Sequence, residues 1–355
     1  MNIIETLFDD PPKRARFITR KITIEDENTI IYGLSGVGKT ALVLNYLYSL
    51  VKKRFLYLDM HDLRLSANID YDKLQTFCRT YSIDVIAIEN YNFSLKLPYV
   101  KQVLLTSELP IKIDGFRIKK LTGLDFEEFI AFDSRFDNLQ DSFSRFLKNG
   151  NFPGLIYTHE SQHLKEMQSL IRLNLSNLEI EIITQAAQNC GRKVSAHQIF
   201  TKIKILMKTS KDSFYKHFDS LQQRGYIYLI NKYNQPRAVK KLFLCDFKMQ
   251  SILSFKKDFN LTFANLILLE LLKHDLTITY TDDIDFYIET KQKAILAIPF
   301  INHEQLDLRL HNLDEMIDRK KIKKIDIVTM NREQHFNYKN VLCDIVPFTQ
   351  WAFLD

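Results

Sequence analysis

The chain has 355 residues, of which 46% are hydrophobic and 12% aromatic, and only 9 are glycine. This composition indicates a globular protein of two or three domains and excludes a disordered or collagen-like chain. The N-terminal stretch MNIIETLFDDPPKR carries acids where a secretory signal peptide carries bases, and no apolar run is long enough to span a membrane. We therefore expect a soluble, cytoplasmic protein with no membrane partner.

The net charge of +6 is unevenly distributed along the chain. Residues 192–241 contain twelve Lys or Arg residues against two Asp, a balance of +10, so the rest of the chain carries −4. A basic segment on an otherwise mildly acidic chain favours a polyanionic partner such as DNA. The four cysteines are far apart in sequence and predict neither a zinc site nor a disulfide framework.

The first 150 residues alternate β-rich runs with helical patterns, which is typical of a parallel α/β sheet. The elements predicted in chain order are a strand at 28–33, a helix at 40–53, a strand at 54–60, a helix at 71–81, and strands at 84–90, 101–108 and 116–121. A helical section begins at residue 124 and reaches about residue 173. We expect residues 1–173 to form one sheet domain with a helical extension.

From residue 177 the pattern changes to three short helices followed by a hairpin, which predicts a winged helix-turn-helix over 177–247. The remaining residues, 248–355, predict a small α/β domain. Its elements are a helix at 262–274, strands at 284–289 and 294–300, an amphipathic helix at 304–321, and strands at 324–330 and 341–348. The expected fold class is α/β, with a parallel P-loop sheet followed by these two smaller domains.

A glycine-rich stretch, GLSGVGKT at 33–40, satisfies the pattern G-x-x-x-x-G-K-[ST] between a predicted strand and a predicted helix. Its glycines allow consecutive N–H groups to point at phosphate oxygens, and the helix N-terminus adds its dipole. Lys39 is expected to bridge the β- and γ-phosphates, and Thr40 to give its hydroxyl to Mg²⁺. The expected nucleotide-binding residues are Gly33, Leu34, Ser35, Gly36, Val37, Gly38, Lys39, Thr40 and Ala41. The alternative interpretation is a glycine-rich turn before a buried helix.

The strand at 84–90 ends in Glu89 and Asn90. Glu89 is the candidate carboxylate for Mg²⁺, through a water molecule, and the alternative is that it is only a solvated strand end. Asn90 stands where many ATPases place a glutamate that polarises the attacking water, and an amide orients water without accepting its proton. The candidate catalytic residues are thus Lys39, Glu89 and, in a water-orienting role, Asn90. Thr106 or Ser107, ending the following strand, are further candidates for contact with the γ-phosphate or the water.

The sequence resembles bacterial and archaeal P-loop ATPases of the AAA superfamily that carry a winged helix and a C-terminal domain related to PD-(D/E)XK nucleases. The resemblance covers nearly the whole chain. It is carried by the order of YGLSGVGKT, RFLYLDM, VIAIEN, VLLTSE, KKLTGLDFEEFIAF, FLKNGNFPGL, KLFLCDF and DDIDFYIE. The resemblance implies ATP as the nucleotide, Mg²⁺ as the metal and ATP hydrolysis as the activity.

The chain departs from the family pattern at three places. The family usually has Asp-Glu where this chain has Glu89 and Asn90, and the segment that follows, up to the next strand, is short. Arg117 matches the family's arginine only loosely, so an arginine finger is not carried over. Three arginines before the first strand, Arg14, Arg16 and Arg20, are alternative candidates for nucleotide or partner contacts, or are exposed solubilising residues.

The two C-terminal regions lead to separate expectations. The third helix of the winged segment places Asp212 and Asp219 on its would-be reading face, so contact with a DNA backbone is favoured over base reading. An intramolecular packing role is the alternative. In the last domain Asp285 is the candidate first acid of a nuclease site, but the next strand offers no carboxylate or lysine at 297–300. Glu289 lies about 13 Å further along the strand, so we do not expect nuclease activity.

Two hypotheses about function follow from the sequence. The first is an ATP-binding protein that hydrolyses ATP slowly with Mg²⁺ and uses the nucleotide state as a conformational switch. The second is a module that associates with nucleic acid or with a protein partner and holds ATP as a structural ligand. The biological process, the oligomeric state and the choice of ATP over GTP remain open from the residues.

Overall fold

The computed structural model describes residues 3–14, 17–51, 53–65, 70–133, 138–255, 258–274 and 276–353. The chain divides into two compact units, Met1–Leu124 and Asp125–Asp355. The three-domain division at 1–173, 177–247 and 248–355 stays a prediction.

The first unit is built around a parallel sheet of five strands in the order β2-β3-β4-β1-β5. Its elements are α1 Ile3–Asp9, β1 Thr29–Tyr32, α2 Lys39–Ser49, β2 Phe55–Asp59, a 3-10 turn Leu63–Leu65, α3 Tyr71–Thr80, β3 Val85–Glu89, β4 Gln102–Ser107 and β5 Arg117–Lys120. All strand pairs are parallel, with β1 between β4 and β5. The predicted parallel sheet is confirmed.

The apolar residues of this sheet explain its position in the interior. Ile30, Ile86 and Leu105 come from three neighbouring strands and are fully buried in one hydrophobic cluster. Strands β3 and β4 are buried along their whole length, as expected for the central strands of a parallel sheet covered on both faces. The edge strand β5 is largely exposed. Because these strands run parallel, the carboxyl ends of β1, β2, β3 and β4 meet at one edge of the sheet.

The second unit begins with helices. Its elements up to the first hairpin are α4 Phe126–Phe132, α5 Leu139–Asn149, a 3-10 segment Pro153–Tyr157, α6 Glu160–Asn174, α7 Asn177–Gln188, α8 Ala196–Leu206, α9 Lys211–Arg224, β6 Ile227–Lys232 and β7 Lys241–Leu244. Serine caps define α7, α8 and α9, since Ser176, Ser195 and Ser210 each accept a hydrogen bond from a backbone N–H of the first turn. Helix α9 ends at Gly225, which has a left-handed backbone.

The remaining elements complete a mixed sheet of eight strands in the order β12-β13-β11-β10-β9-β8-β6-β7. They are α10 Met249–Leu253, α11 Phe259–Leu271, β8 Ile278–Tyr280, β9 Phe286–Ile288, a 3-10 turn Glu289–Lys291, β10 Lys293–Ala297, α12 His303–His311, α13 Asp314–Asp318, β11 Lys324–Thr329, β12 Gln334–Tyr338, β13 Val341–Pro347 and α14 Phe348–Trp351. Strand β6 of the hairpin pairs with β8, so the hairpin and the C-terminal strands share one sheet.

Several predicted boundaries differ from the structure. The helix predicted at 304–321 is interrupted between α12 and α13, where Asn312 donates a side-chain hydrogen bond to Asp283 Oδ1 at 2.9 Å. Helix α2 ends at Ser49, short of the predicted residue 53. Helix α1 and strands β8 and β12 were absent from the sequence prediction.

Two further properties bear on the class of protein. No helix in the described part of the chain combines the length and apolar character that a bilayer crossing requires. Cys78, Cys190, Cys245 and Cys343 are buried free thiols.

Candidate nucleotide-binding site

The glycine-rich loop connects the carboxyl end of β1 to the N-terminus of α2. The Gly33 N–H donates to Ser107 O at 3.1 Å, which extends the parallel pairing with β4 one residue beyond β1. Gly36 and Gly38 have φ of 87° and 96°, a left-handed backbone that favours glycine. Gly38 is the N-cap of α2 and lacks a side-chain cap hydrogen bond. The loop therefore presents the N-terminus of an 11-residue helix, where an anion is stabilised.

Lys39 lies buried within the loop. Its Nζ donates to Gly33 O at 2.7 Å and to Leu34 O at 2.9 Å. The ammonium group is therefore held by the backbone of the loop itself. A bound phosphate would offer this buried cation a charged acceptor in place of neutral carbonyls, which is a stronger hydrogen bond.

Thr40 and Glu89 come together at the carboxyl edge of the sheet. The Thr40 hydroxyl donates to Glu89 Oε1, and the Tyr57 hydroxyl donates to Glu89 Oε2. Glu89 is only 4% exposed, which contradicts the alternative of a solvated strand end. Burial raises the pKa of Glu89; the two hydroxyls partly offset this rise, and the nearby charge of Asp59 adds to it.

Asn90 follows Glu89 in a left-handed conformation, with φ of 55°. Its backbone N–H donates to Thr106 Oγ1 at 3.1 Å, and its side-chain Nδ2 donates to Asp59 Oδ1 at 2.8 Å. The amide is therefore turned towards the end of the neighbouring strand β2. Its predicted water-orienting role stays a prediction.

Thr106 and Ser107 end β4 beside the loop. Thr106 is buried and its hydroxyl accepts from the Asn90 backbone, while the Ser107 hydroxyl donates to Leu109 O at 2.5 Å. Thr106 therefore supports the turn that follows Glu89. Contact of either residue with a phosphate stays a prediction.

Two residues of β2, Tyr57 and Asp59, were missed by the sequence reasoning. The β2–β3 register pairs Asp59 directly with Glu89 and Tyr57 with Ala87. A signal was present, because RFLYLDM and VIAIEN are two predicted parallel strands whose next-to-last residue is in each case an acid. Since the carboxyl ends of parallel strands meet at one edge, the two acids could have been placed together. The hydrogen bond from Tyr57 could not, because it depends on the side-chain conformation.

The arginines differ in their surroundings. Arg20 is buried, and its guanidinium donates to Val37 O and Thr122 O, both at 2.8 Å, and to Gly123 O at 3.3 Å. Arg14 lies on the surface, and Arg16 is outside the described residues. Arg117 begins β5, at the end of the strand opposite the loop, and its Nε lies 3.5 Å from Glu27 Oε1. Arg20 therefore anchors the glycine-rich loop, and Arg117 does not reach it.

The site fits a magnesium-nucleotide complex in its donor chemistry. Mg²⁺ prefers oxygen ligands, and the Thr40 hydroxyl and the Glu89 carboxylate already touch each other at the start of α2. At Gly33 the backbone has no space for a side chain, because a Cβ there would lie 2.0 Å from Leu121 O. Among the described residues, no group of three or more His, Cys, Asp or Glu side chains is arranged to hold a metal.

The basic segment 192–241 is partly neutralised within the second unit. Lys193 and Lys232 both form ion pairs with Asp282, and together they lower the pKa of Asp282 to about 2. Five of the twelve basic residues have an acidic partner within 4 Å, namely Arg192, Lys193, Arg224, Lys232 and Lys241. In the described part of the chain the other seven form no ion pair: Lys202, Lys204, Lys208, Lys211, Lys216, Arg237 and Lys240. Most of these seven lie on α8, on α9 and in the turn between them.

The candidate nuclease acid, Asp285, is held by three donors. Arg309 Nη2 and the Ala297 N–H each lie 2.9 Å from Asp285 Oδ2, and Lys241 Nζ lies 3.4 Å from Oδ1. Burial raises the pKa of this carboxyl, but the two cations outweigh it and the pKa is lowered. Glu289 lies beyond the end of β9, in a 3-10 turn, and accepts a hydrogen bond from the Tyr233 hydroxyl at 2.8 Å.

No protein-family model matches the chain. A protein of Methanocaldococcus jannaschii described as uncharacterized is 22% identical over 409 residues, covering 96% of this chain and 92% of that protein. The structure of the Aeropyrum pernix Orc1 protein in complex with DNA is similar with a TM-score of 0.29 and 10% identity, covering 64% of this chain and 86% of that chain. A TM-score this low supports no inference about function.

Proposed function

We propose that this protein binds Mg-ATP at the loop 33–40 and hydrolyses it slowly. The observation that carries the proposal is the contact between the Thr40 hydroxyl and the buried Glu89 carboxylate at the N-terminus of α2. A glycine-rich turn before a buried helix needs neither group. The choice of ATP rests on the resemblance to AAA-superfamily ATPases.

Each residue of the site has a role in this proposal. The N–H groups of the loop and of the first turn of α2 bind phosphate oxygens, and Lys39 turns from the carbonyls of Gly33 and Leu34 to the phosphates. Thr40 and Glu89 would hold Mg²⁺, which neutralises charge that develops on the phosphates. Position 90 carries an amide that does not accept a proton, so hydrolysis is expected to be slow.

We further propose that the nucleotide state acts as a conformational switch for the C-terminal regions. Support comes from the family resemblance and from the order α7, α8, α9, β6 and β7, which is that of a winged helix. The last region is proposed to be a degenerate PD-(D/E)XK-like domain without nuclease activity. Its candidate acid is already neutralised by Arg309 and Lys241.

Phosphate release from ATP, GTP, CTP and UTP, with and without Mg²⁺, tests the proposed activity. We expect slow, Mg-dependent release in the wild type and loss of activity in Lys39→Ala. Lys53→Ala is the matched control, because Lys53 is bound by Asp26 on the surface of the same unit. If nucleotide binds but no phosphate is released above background, the nucleotide is a structural ligand instead.

A second candidate function is binding of a nucleic-acid backbone by the basic segment. It is favoured by the cluster Lys202, Lys204, Lys208 and Lys211, which forms no ion pair within the described residues. Such cations release counterions when they neutralise phosphates, so the affinity should fall steeply with salt.

Duplex DNA titrated at several salt concentrations tests this second function. Lys204→Ala with Lys208→Ala should weaken binding and flatten the salt dependence. The matched control is Lys193→Ala, which removes a cation that Asp282 already neutralises. Binding that is undetectable at low salt, or independent of salt, would exclude the nucleic-acid version and leave a protein partner.

A further inference from the structure

Asp59 is a second carboxylate at the edge of the sheet that carries the phosphate loop. It ends β2, and the parallel register pairs it with Glu89, which ends β3. Burial raises the pKa values of both Glu89 and Tyr57, and the nearby charge of Asp59 adds to both rises. Two acids therefore lie side by side where the proposed nucleotide is hydrolysed.

The two carboxylates are held differently. Both oxygens of Glu89 accept hydroxyl hydrogen bonds, from Thr40 and Tyr57, and the side chain is buried. Asp59 is half-buried, and a single oxygen, Oδ1, accepts from Asn90 Nδ2 at 2.8 Å and from the His61 N–H at 3.0 Å. No hydrogen bond to Asp59 Oδ2 is present among the described residues. Asp59 thus has a fixed orientation and one oxygen available to a water molecule.

Asn90 is suited to orient this carboxylate. Its backbone N–H is bound by Thr106 Oγ1 and its conformation is left-handed, so the direction of its side chain is set by the turn after β3. Its Nδ2 donates to Asp59 Oδ1 and so fixes the direction of that carboxylate, whereas a glutamate at position 90 would place a second negative charge beside it. Position 90 thus carries an asparagine where many ATPases have the catalytic glutamate. This asparagine orients Asp59, a carboxylate on the neighbouring strand β2.

We propose that Asp59 is the carboxylate that accepts the proton of the attacking water, and that Asn90 is its positioning residue. This inference rests on the proposed ATPase function. The water oxygen forms a bond to the γ-phosphorus while the bond from that phosphorus to the bridging oxygen breaks. The bridging oxygen leaves with ADP and keeps the electron pair. Asp59 takes the water proton and returns it to solvent after phosphate leaves.

The test compares Asp59→Asn with Asp62→Asn in single-turnover hydrolysis and in nucleotide binding. Asp62 is the matched control, because it lies three residues further on and, within the described ranges, its carboxylate is bonded by Arg64. Asp59→Asn should slow the hydrolysis step at least about 100-fold, as expected for a lost general base, and leave the Kd for a non-hydrolysable ATP analogue within about twofold. Asp62→Asn should retain the wild-type rate.

A second readout does not depend on turnover. Aluminium fluoride with Mg-ADP imitates the γ-phosphate at the stage when the water attacks, so its affinity reports on the group that holds the water. Asp59→Asn should weaken this complex at least about tenfold relative to the ATP analogue. Equal weakening of both complexes would mean that Asp59 only supports the fold of the site, and would overturn the proposal.

Asn90 variants separate positioning from direct catalysis. Asn90→Ala should lower the hydrolysis rate about tenfold, as expected for a lost hydrogen bond to a charged group, with the Kd unchanged. Asn90→Glu should also lower it, because it sets a second carboxylate against Asp59. A faster Asn90→Glu, or an Asp59→Asn variant that turns over like wild type, would refute Asp59 as the base and leave the ATPase proposal intact. Absence of any nucleotide binding in the wild type would refute both.

Discussion

Arg20 connects the glycine-rich loop 33–40 to the end of the first unit through backbone carbonyls. Its guanidinium donates to Val37 O in the loop and to the carbonyls of Thr122 and Gly123. A buried carbonyl without a hydrogen-bond donor costs free energy. Arg20 stabilises this region because its one side chain donates to several such carbonyls. Nothing in the sequence distinguishes Arg20 from Arg14, because burial depends on the tertiary fold.

Arg20→Ala should lower the free energy of unfolding of the protein by roughly 1–3 kcal/mol, since it leaves buried acceptors unsatisfied. It should also weaken Mg-ATP binding, because Val37 lies in the loop. Urea unfolding followed by circular dichroism measures the first effect. Arg14→Ala, which removes an exposed hydrogen bond to Asn45, is the control and should change neither. Equal stability of the two variants would contradict the anchoring role.

Asp246 is a buried carboxyl of the second unit whose pKa is raised to about 6, chiefly by burial. Two backbone N–H groups, from Asn151 and Lys248, oppose this rise. An unfolded Asp has a pKa of about 4, so between these values the folded state binds the proton more tightly than the unfolded state. The contribution of Asp246 to stability is therefore present below pH 4 and is lost as the pH rises through 6.

The free energy of unfolding should fall by roughly 3 kcal/mol between pH 4 and pH 7 because of Asp246 alone. Asp246→Asn should flatten this part of the pH dependence. Asp282→Asn is the control of opposite sign, because ion pairs lower the pKa of Asp282 to about 2. Urea unfolding followed by the fluorescence of Trp351, the only tryptophan, provides the measurement. An unchanged slope in Asp246→Asn would show that the carboxyl is ionised in the folded state.

At the scale of elements, the loop between β1 and α2 depends on the close approach of β5. A Cβ at Gly33 would lie 2.0 Å from Leu121 O. Since this oxygen belongs to the backbone, it can move away only if the end of β5 shifts. Gly33→Ala should therefore displace the loop and abolish measurable nucleotide binding. Gly154→Ala, where a Cβ meets nothing within 4 Å, should leave binding unchanged. Wild-type affinity in Gly33→Ala, measured by equilibrium binding, would refute this tight packing.

The central strands and their order of appearance were predictable, because β1 to β4 are continuous apolar runs bounded by polar turns. The elements that were missed have weaker local signals. Strand β8 has three residues and β12 is largely exposed, so both depend on pairing partners for their formation. The amphipathic pattern of 304–321 continues across Asn312, and only the tertiary contact with Asp283 marks the break.

The candidate nucleotide site and the basic segment lie in different units of the molecule. The first unit contains the loop, Glu89 and Asp59, whereas the second contains the basic segment. Residues 125–355 carry a net charge of only +2, so acids elsewhere in the unit offset the +10 of 192–241. Asp282 and Asp285 supply part of this compensation through ion pairs with Lys193, Lys232 and Lys241. The +10 counted over residues 192–241 is therefore larger than the positive charge that remains available to a partner.

Equilibrium dialysis with labelled ATP measures directly whether the loop 33–40 binds Mg-ATP. We expect saturable binding of one ATP per chain that requires Mg²⁺, is lost in Lys39→Ala and is retained in Lys53→Ala. Equal binding by wild type and Lys39→Ala, or no binding by wild type at millimolar Mg-ATP, would contradict it.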